Sequence, residues 1–314
     1  MKKPKPIEIS PPDISDYKTG NTGVDYVHVL DSGKPGPTVM VQALTHGNEY
    51  CGAIALDLLF REKPAVKNGK LILSFANVAA FARFDFDDPD RSRYIDEDIN
   101  RVWADEQLLG SRDSAELRRA RELRPFVDSA DYLLDLHSMT EPCQPIMVCG
   151  VLGKGGEKNI AFARRIGVPG ILLVDTGHAA GLRMIERGGY GDPASPRTAV
   201  LIECGQHWEN SAVDVAVDTM GRFLAITGVS TLGRKKKRAP QKVVSVTEAV
   251  VAKSTGFRFE QEYKGLECIS KAGTPVARDG EKVWNTPYDD AILVMPSTAH
   301  VKPGNTMVRL GRYI

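Results

Sequence analysis

The 314-residue chain lacks an excess of charge of either sign. Its 41 lysines and arginines nearly equal its 40 aspartates and glutamates, which leaves a formal charge of +1 at neutral pH. Nucleic acids and anionic membranes attract proteins chiefly through a surplus of positive charge, so this balance gives no argument for either partner. We therefore expect the partner to be a small molecule.

Long apolar runs and paired cysteines are also missing. No stretch approaches the roughly 20 apolar residues that a membrane helix needs, and the start, MKKPKPIEISPPD, lacks the apolar middle of a signal peptide. The five cysteines are odd in number and not closely paired, which favours reduced thiols over disulfides. These absences predict a soluble, cytoplasmic protein, and the sequence is compatible with a homo-oligomer.

Apolar segments of strand length alternate with helical patterns through most of the chain. The predicted strands cover residues 24–30, 37–44, 69–78, 131–138, 146–151, 170–175 and 198–205. The predicted helices cover residues 52–62, 113–130, 157–167 and 212–228. This alternation favours an α/β layered core, which we assign to a catalytic domain of residues 1–232.

The composition changes at GRKKKRAPQ, residues 233–241. A localisation signal or nucleic-acid patch is conceivable there, but a single short basic run is more often a solvated linker. Beyond it, residues 242–314 alternate short β-rich stretches with Gly/Pro turns. The pattern predicts a small all-β C-terminal domain.

Two polar residues, His46 and Glu49, follow the second predicted strand in the motif ALTHGNEYCG. They stand three positions apart where a strand gives way to a helix, so their side chains can converge on one side of the turn. Ligands of open α/β sheets usually bind at this carboxyl end of a strand. Alone, the pair is more typical of an ordinary turn and helix start than of a metal site.

A second histidine favours a metal site. His137 ends the otherwise apolar strand YLLDLHS, and Asp135 lies two residues earlier on the same face. His46, Glu49 and His137 make the His₂Glu set of catalytic zinc sites, which keep a fourth position open for water. A close pair followed after 88 residues (137 − 49) by a distant third ligand is typical of such an open site. A buried histidine satisfied by backbone hydrogen bonds is the structural alternative.

Glu203 provides a candidate base for a hydrolytic site. It lies within the apolar run TAVLIECG, where an ionised carboxylate is expensive unless a cation or a proton transfer explains it. Near zinc it could accept a proton from water and return it to the leaving nitrogen. Without a metal, a glutamate on the exposed face of a half-buried strand is the simpler interpretation.

Cys51 and Cys204 suggest a thiol nucleophile, although small buried cysteines are commoner.

The stretch DPDRSRYIDEDINRVW, residues 88–103, is dense in charge. Its arginines and Asn100 could donate to an anionic substrate, because guanidinium matches carboxylate geometry. RYIDEDINR, together with THGNE before it and DLHS and IECG after it, resembles the succinylglutamate desuccinylase and aspartoacylase family of the zinc carboxypeptidase superfamily. The four motifs occur in the family's order, within about residues 37–228.

The resemblance implies roles for the motif residues. His46, Glu49 and His137 match the family's zinc ligands. Glu203 matches the glutamate that activates water. The resemblance also implies a phosphorylase/hydrolase-like mixed sheet flanked by helices, with a β-rich C-terminal domain that narrows the entrance to the active site.

Three further residues are implied to contact the substrate. Arg93 matches the arginine that polarises the scissile carbonyl, and Asn100 and Arg101 match the pair that holds a substrate carboxylate. We therefore expect a zinc-dependent deacylase that hydrolyses the amide bond of a small N-acylated amino acid. A metallocarboxypeptidase acting on peptides and a non-catalytic metal-binding relative are the alternatives.

The chain departs from aspartoacylase at two positions. Aspartoacylase has a further substrate arginine ten residues before its catalytic glutamate. Pro193 occupies that position here. Arg183, Arg187 or Arg197 could replace it, and their spacing does not choose among them. A substrate tyrosine of the aspartoacylase C-terminal domain has no clear counterpart in VMPSTAHVKPGN. The acyl group and the amino acid are therefore not assigned.

Overall fold

A computed structural model describes residues 6–230 and 240–314 of the chain. Most of the predicted basic linker, residues 233–239, lies outside the described residues. Elements are numbered below in chain order.

The strands account for most of the core. Their bounds are β1 (Val27–Asp31), β2 (Thr38–Ala43), β3 (Lys70–Phe75), β4 (Tyr132–Met139), β5 (Ile146–Val151), β6 (Ile171–Asp175), β7 (Thr198–Gln206), β8 (Lys242–Val251), β9 (Arg258–Phe259), β10 (Glu267–Ile269), β11 (Pro275–Asp279), β12 (Lys282–Asn285), β13 (Ala291–Val294) and β14 (Thr306–Tyr313). Eleven of these described strands form one mixed sheet in the order β1-β3-β2-β4-β7-β5-β6-β8-β14-β13-β10. Strands β2, β4 and β7 are adjacent and parallel, so their carboxyl ends meet at one edge of the sheet.

Helices cover both faces of the sheet. Their bounds are α1 (Cys51–Glu62), α2 (Val78–Phe81), α3 (Asp105–Leu108), α4 (Ala115–Ser129), α5 (Gly156–Ile166) and α6 (Asn210–Thr227). Alternate residues of β2 belong to different cores: Val39 and Val41 pack with α1, α5 and α6, whereas Met40 packs with α4. This alternation follows from the two-residue period of a strand and confirms the predicted α/β layering.

The predicted elements of the first 232 residues all have counterparts, with ends shifted by three residues or fewer. The largest shift at a strand start has a local cause. Tyr26 has φ of 61°, outside the extended region, so β1 begins only at Val27. None of the helices in the described residues combines the length and apolarity that crossing a membrane requires.

The C-terminal residues continue the same sheet. Strand β8 pairs in parallel with β6, and β14, β13 and β10 extend the sheet beyond it. Strands β12, β11 and β9 form a separate three-stranded sheet. Residues 240–314 contain no helix, as expected from their pattern. The division into domains near residue 232 stays a prediction.

Candidate active site

Three neighbouring parallel strands bring the predicted site residues together. His46 follows β2, His137 lies near the end of β4, and Glu203 lies in β7 directly beside His137 in the strand register. Because side chains alternate along a strand, these register partners project to the same face of the sheet. The site therefore forms at the carboxyl edge where ligands of α/β sheets usually bind.

A glycine allows the His46 turn to approach the next loop closely. A Cβ atom on Gly47 would lie 2.3 Å from the carbonyl oxygen of Ser92 and 2.4 Å from the backbone nitrogen of Phe81. No larger residue fits without displacing this backbone. The Gly47 N–H also donates to the carbonyl of Arg93 (3.1 Å), which ties the two loops together.

His46, Glu49 and His137 form a compact cluster. Each offers one ligand atom, and these atoms all lie within 4.8 Å of one another. The Nδ1 atoms of His46 and His137 lie 2.7 and 2.9 Å from the two carboxylate oxygens of Glu49. All three residues are buried, so the structure confirms that the sequence places a potential metal-binding triad here.

A second layer of carboxylates orients both rings. Nε2 of His137 lies 2.7 Å from Oδ2 of Asp135, and Nε2 of His46 lies 2.9 Å from Oδ1 of Asp98. When each Nε2–H donates to its carboxylate, each Nδ1 presents a lone pair toward Glu49. A lone pair facing a carboxylate is repulsive unless a positive charge lies between them. The donor set therefore fits a cation, in the carboxylate–histidine–metal arrangement common in proteins.

The electrostatics of the triad reflect the same need for positive charge. Burial alone would raise the pKa of the Glu49 carboxyl, but the adjoining His46 and His137 rings hold that pKa well below its usual range. Burial alone would lower the pKa of His137, but Asp135 and Glu49 raise it well above its usual value. The proton that the His137 ring holds then balances part of the carboxylate charge.

Glu203 differs from the other acids of the site. Its Oε2 atom is buried and has no hydrogen-bond partner among the described residues. Burial, followed by the nearby charge of Glu49, raises the pKa of Glu203 to about 8. The structure therefore places beside the triad a carboxyl group with a free oxygen and an affinity for a proton, although its chemical role stays a prediction.

Arg93 contacts the triad through Glu49 and also reaches Asp98. Its Nη1 atom is 3.0 Å from Oε1 of Glu49, and its Nη2 atom is 3.2 Å from Oδ2 of Asp98. Burial lowers the pKa of Arg93, but Asp98 and Glu49 raise it by more, so the guanidinium stays charged. Its side chain is 28% exposed, which leaves part of the guanidinium available to a ligand.

Glu116 of α4 holds the loop that carries Arg93. This fully buried carboxylate accepts hydrogen bonds from the backbone N–H groups of residues 95–97, at 2.7, 3.0 and 3.2 Å. The side-chain amide of Asn77 donates a fourth, at 2.9 Å. A buried carboxylate with four donors is well satisfied, so it fixes the loop backbone against the helix.

A cavity of about 720 Å³ opens above the triad. The predicted residues Arg93, Asn100, Arg101 and Glu203 all line it, as does His178. C-terminal residues of the β13–β14 connection and of β14 complete its wall. The C-terminal residues therefore contribute to the wall of the cavity, and the narrowing of its entrance stays a prediction.

Asn100 and Arg101 approach the cavity differently. Oδ1 of Asn100 accepts a hydrogen bond from the backbone N–H of Met184 (3.0 Å), which fixes the amide and leaves its NH₂ group facing other partners. Nη2 of Arg101 lies 3.7 Å from Oδ2 of Asp98, a loose ion pair. Burial is the largest of the effects that lower the pKa of Arg101, to about 10. The guanidinium therefore stays protonated at neutral pH.

Arg183, Arg187 and Arg197, the three candidates for a further substrate arginine, are engaged elsewhere. Arg183 is buried and binds both oxygens of Asp175, at 2.8 and 2.7 Å, and also Glu186. Arg187 binds Asp128, and Arg197 donates to a backbone carbonyl. Each arginine therefore has a structural partner, and of the three only Arg183 lines the cavity.

Two charged residues of the site escaped the sequence analysis. Asp98, which holds His46, lies within RYIDEDINR among three other acidic or amide residues, so nothing in the pattern distinguished it. Arg309 lies in β14 and lines the cavity. The sequence does contain a signal for Arg309, because this arginine interrupts the apolar run MVRL just as Glu203 interrupts its own apolar strand.

The thiol alternative does not fit the geometry. Cys51 and Cys204 are buried in the hydrophobic core. Burial, together with a hydrogen bond to Cys51, raises the pKa of the Cys204 thiol well above its usual range. A nucleophilic cysteine needs a lowered pKa and access to substrate, so these two are core residues.

Residues 35–220 match the family model of the succinylglutamate desuccinylase/aspartoacylase catalytic domain, which covers more than half of the chain. The chain belongs to this family. Its members are deacylating hydrolases, so membership indicates hydrolysis of N-acyl amino acids. The resemblance stated from the motifs is confirmed. No curated protein matches the sequence significantly.

Solved structures of the family share the fold. Succinylglutamate desuccinylase from Vibrio cholerae is 14% identical with a TM-score of 0.69, over 92% of this chain and 86% of that one. The enzyme from Vibrio parahaemolyticus is 16% identical with a TM-score of 0.67, over the same shares of the two chains. The product-bound ectoine utilization protein EutE from Ruegeria pomeroyi is 17% identical with a TM-score of 0.63, over 91% and 88%.

Proposed function

We propose that the protein is a zinc-dependent deacylase that hydrolyses the amide bond of a small N-acylated amino acid. The observation that carries the proposal is the arrangement of Glu203, whose free buried oxygen lies beside the His₂Glu cluster in the same cavity. Metal retention alone needs no such residue, whereas hydrolysis needs a proton acceptor near the water.

His46, Glu49 and His137 would hold the zinc ion. Two histidines and one glutamate are the ligand set of a catalytic zinc site with an open fourth position. Asp98 and Asp135, which hold the two histidine rings, provide the hydrogen-bonding groups that surround the ligands of such a site. When bound, zinc supplies Lewis acidity toward a carbonyl and lowers the pKa of a water molecule.

Glu203 would carry the proton through the reaction. Its carboxylate removes a proton from the attacking water, and its carboxyl group then returns that proton to the leaving nitrogen. A pKa raised by burial suits the second step, because the carboxyl group can hold the proton until the leaving nitrogen takes it. Arg93, charged and partly exposed, would stabilise the negative charge that develops on the carbonyl oxygen.

The remaining polar residues would orient the substrate. Asn100 and Arg101 line the cavity on the side of the charged loop, where they would hold a carboxylate of the substrate. Anchoring that carboxylate fixes the amide over the reacting groups and reduces the entropy cost of the reaction. We further propose that residues 1–232 form the catalytic domain and residues 242–314 a β-rich domain.

A metallocarboxypeptidase is the rival among enzymes. The two activities need active-site clefts of different size, because a peptide substrate extends out of the site whereas an acyl amino acid does not. The C-terminal residues Met295, Ser297 and His300 line the cavity over the triad, and this wall favours a small substrate.

The decisive experiment is release of free amine from a panel of N-acylated amino acids by zinc-loaded protein. We expect activity on some of the panel, loss of it with a chelator, and its return with zinc. Glu203→Gln should lower kcat by at least about 10³-fold while zinc content stays at the wild-type level. Glu248→Gln, at an exposed strand position, is the matched control. Substantial kcat in Glu203→Gln, or cleavage of peptides alone, contradicts the proposal.

A further inference from the structure

The carboxylate of the triad, Glu49, is held by a backbone donor. The N–H of Ser138 lies 3.1 Å from Oε2 of Glu49. An aspartate holds each histidine ring of the triad, and this N–H is the corresponding contact to the carboxylate. A backbone donor is only as well placed as the chain that carries it. The position of Ser138 therefore helps to decide how the Glu49 carboxylate faces the two rings.

The side chain of Ser138 is fixed in turn by His207. The Oγ atom of Ser138 lies 2.9 Å from Nδ1 of His207, and Oγ1 of Thr140 lies 3.3 Å from Nε2 of the same ring. The backbone N–H of His207 also donates to the carbonyl of Met139 (2.9 Å). Burial lowers the pKa of His207 to about 4, so the ring is neutral at neutral pH and has one nitrogen that donates and one that accepts. A hydroxyl can fill either role, so both ring nitrogens are satisfied at the end of β4.

A bulge in the sheet directs His207 toward β4. The register pairs His137 with Glu203, but two residues later on β4 the partner lies three residues later on β7, so β7 contains one extra residue. Within that stretch Gly205 has φ of 122°, a conformation that residues with a side chain rarely adopt. Bulges are common next to active sites, where they re-aim a side chain. Here the bulge lies between Glu203 and His207, and the chain beyond it meets the end of β4.

Trp208, the next residue, reaches the backbone that carries Glu49. Its indole Nε1–H donates to the carbonyl of Asn48 (3.2 Å), the residue directly before Glu49. The carbonyl of Trp208 accepts from the N–H of Glu8 (2.9 Å), which ties the N-terminal segment to the same point. Both His207 and Trp208 are buried. One of these adjacent residues thus fixes the donor to the Glu49 carboxylate, and the other fixes the backbone next to it.

His207 is placed to hold its neighbours rather than to carry a proton. It lines the cavity, but hydroxyl groups engage both of its ring nitrogens. A catalytic acid or base needs a nitrogen within reach of the substrate or of a water. We infer that His207 and Trp208 form a clamp that positions Glu49 as a metal ligand. The inference rests on the proposed zinc site and deepens it, because it gives a role to two residues outside the ligand set.

The test is zinc affinity, measured by competition with a chromophoric chelator. His207→Leu removes both ring contacts and should weaken zinc binding by about tenfold. The amide of asparagine can take the place of Nδ1, and that of glutamine the place of Nε2. His207→Asn should therefore keep the Ser138 contact and bind zinc within about threefold of wild type, whereas His207→Gln should resemble His207→Leu. Packing alone predicts the opposite order, because glutamine is closer to histidine in volume.

Cobalt substitution gives a second measurement. The visible absorption of bound cobalt(II) depends on the arrangement of its ligands. We expect an altered spectrum in His207→Leu and His207→Gln and the wild-type spectrum in His207→Asn. His28→Leu is the matched control, because His28 is a partly buried histidine of the edge strand β1 whose Nε2 lies 2.8 Å from the carbonyl of Tyr17. It should change neither the zinc affinity nor the spectrum.

Ser138→Ala keeps the inference testable if a His207 variant fails to fold. It removes only a hydroxyl and should weaken zinc binding by about the same factor as His207→Leu, and the double variant should bind zinc no more weakly than either single one. Trp208→Phe removes the donor to Asn48 and should weaken zinc binding by about three- to tenfold. Trp284→Phe, in β12 of the separate C-terminal sheet, is its control and should have no effect.

Two results would overturn the clamp. One is wild-type zinc affinity in both His207→Leu and Ser138→Ala, and the other is tighter zinc binding by His207→Gln than by His207→Asn. Absence of tight zinc binding by the wild-type protein would instead contradict the proposed function, and the inference with it. The chelator titration of the wild type is read before any variant is compared, so the two failures are distinguishable.

Discussion

The buried side chains of Asp135 and His137 are joined by a 2.7 Å hydrogen bond between Oδ2 and Nε2. The two residues are neighbours on one face of β4, and Thr45 donates to the other oxygen of Asp135 (2.7 Å). Asp135 thus holds the ring so that Nδ1 faces Glu49. The carboxylate acts on the cluster through the histidine, and in the proposed zinc site it would make His137 a better metal ligand.

Replacing Asp135 should weaken metal binding. Asp135→Asn keeps the shape but removes the negative charge that increases the basicity of His137, and we expect about tenfold weaker zinc affinity. Competition with a chromophoric chelator measures that affinity. Asp131→Asn, just before the start of the same strand and distant from the triad, is the control. Unchanged affinity in Asp135→Asn would show that the hydrogen bond does not tune the ligand.

Glu116 should set the position of the Arg93 loop. Glu116→Gln replaces one acceptor oxygen with an NH₂ group that faces backbone N–H donors, which should cost about 1–3 kcal/mol in the free energy of unfolding. Because this loop carries Arg93, a shift of the loop should also lower kcat, while zinc content stays unchanged. Denaturant unfolding and steady-state kinetics measure both. Glu122→Gln, at a 55%-exposed position of the same helix, should change neither; a fall in zinc content with Glu116→Gln would speak against a loop-positioning role.

Arg183 should matter for stability more than for substrate binding. Arg183→Met leaves Asp175 and Glu186 buried without their partner, which should destabilise the protein by about 3–5 kcal/mol. Asp175→Asn in the same chain should restore part of the loss. Arg61→Met, whose side chain is 69% exposed, should cost less than about 1 kcal/mol. A stable Arg183→Met protein with weakened substrate binding would reverse this assignment.

His178 should make stability depend on pH. Burial and the charges of Arg101, Arg309 and Arg183 lower its pKa to about 3, against a smaller opposite effect of Asp98. Below about pH 6.5 the unfolded chain gains a proton that the folded chain does not, so the free energy of unfolding falls as pH falls toward 3. The loss should reach about 1 kcal/mol at about pH 5, after solvent screening of a partly exposed group.

The comparison of His178→Gln with wild type measures that loss. The variant cannot take up the proton in either state, so its stability should fall less between about pH 8 and about pH 5. Urea unfolding at both pH values gives the two differences. Equal differences in the two proteins would show that His178 titrates normally in the folded chain.

The elements of the catalytic core could be read from the sequence because each carries a local signal. Apolar runs flanked by turn residues predicted β2, β4 and β7, and helical periodicity predicted α1 and α6. His46, Glu49, His137 and Glu203 stood out because polar residues at strand ends or within apolar strands need an explanation. The family motifs then gave these residues candidate roles, and the structure brought them together.

What the sequence by itself determined was therefore the kind of site: a His₂Glu cluster with a nearby glutamate at the edge of an α/β sheet. Tertiary structure decided which charges are already paired. Arg183 and Arg309 look equivalent along the chain, but Arg183 pairs with Asp175, eight residues before it, whereas Arg309 faces the cavity without an ion pair among the described residues. The place of Arg309 in the cavity wall is not encoded by sequence spacing, because it arises only when β14 enters the same sheet as β6 and β7.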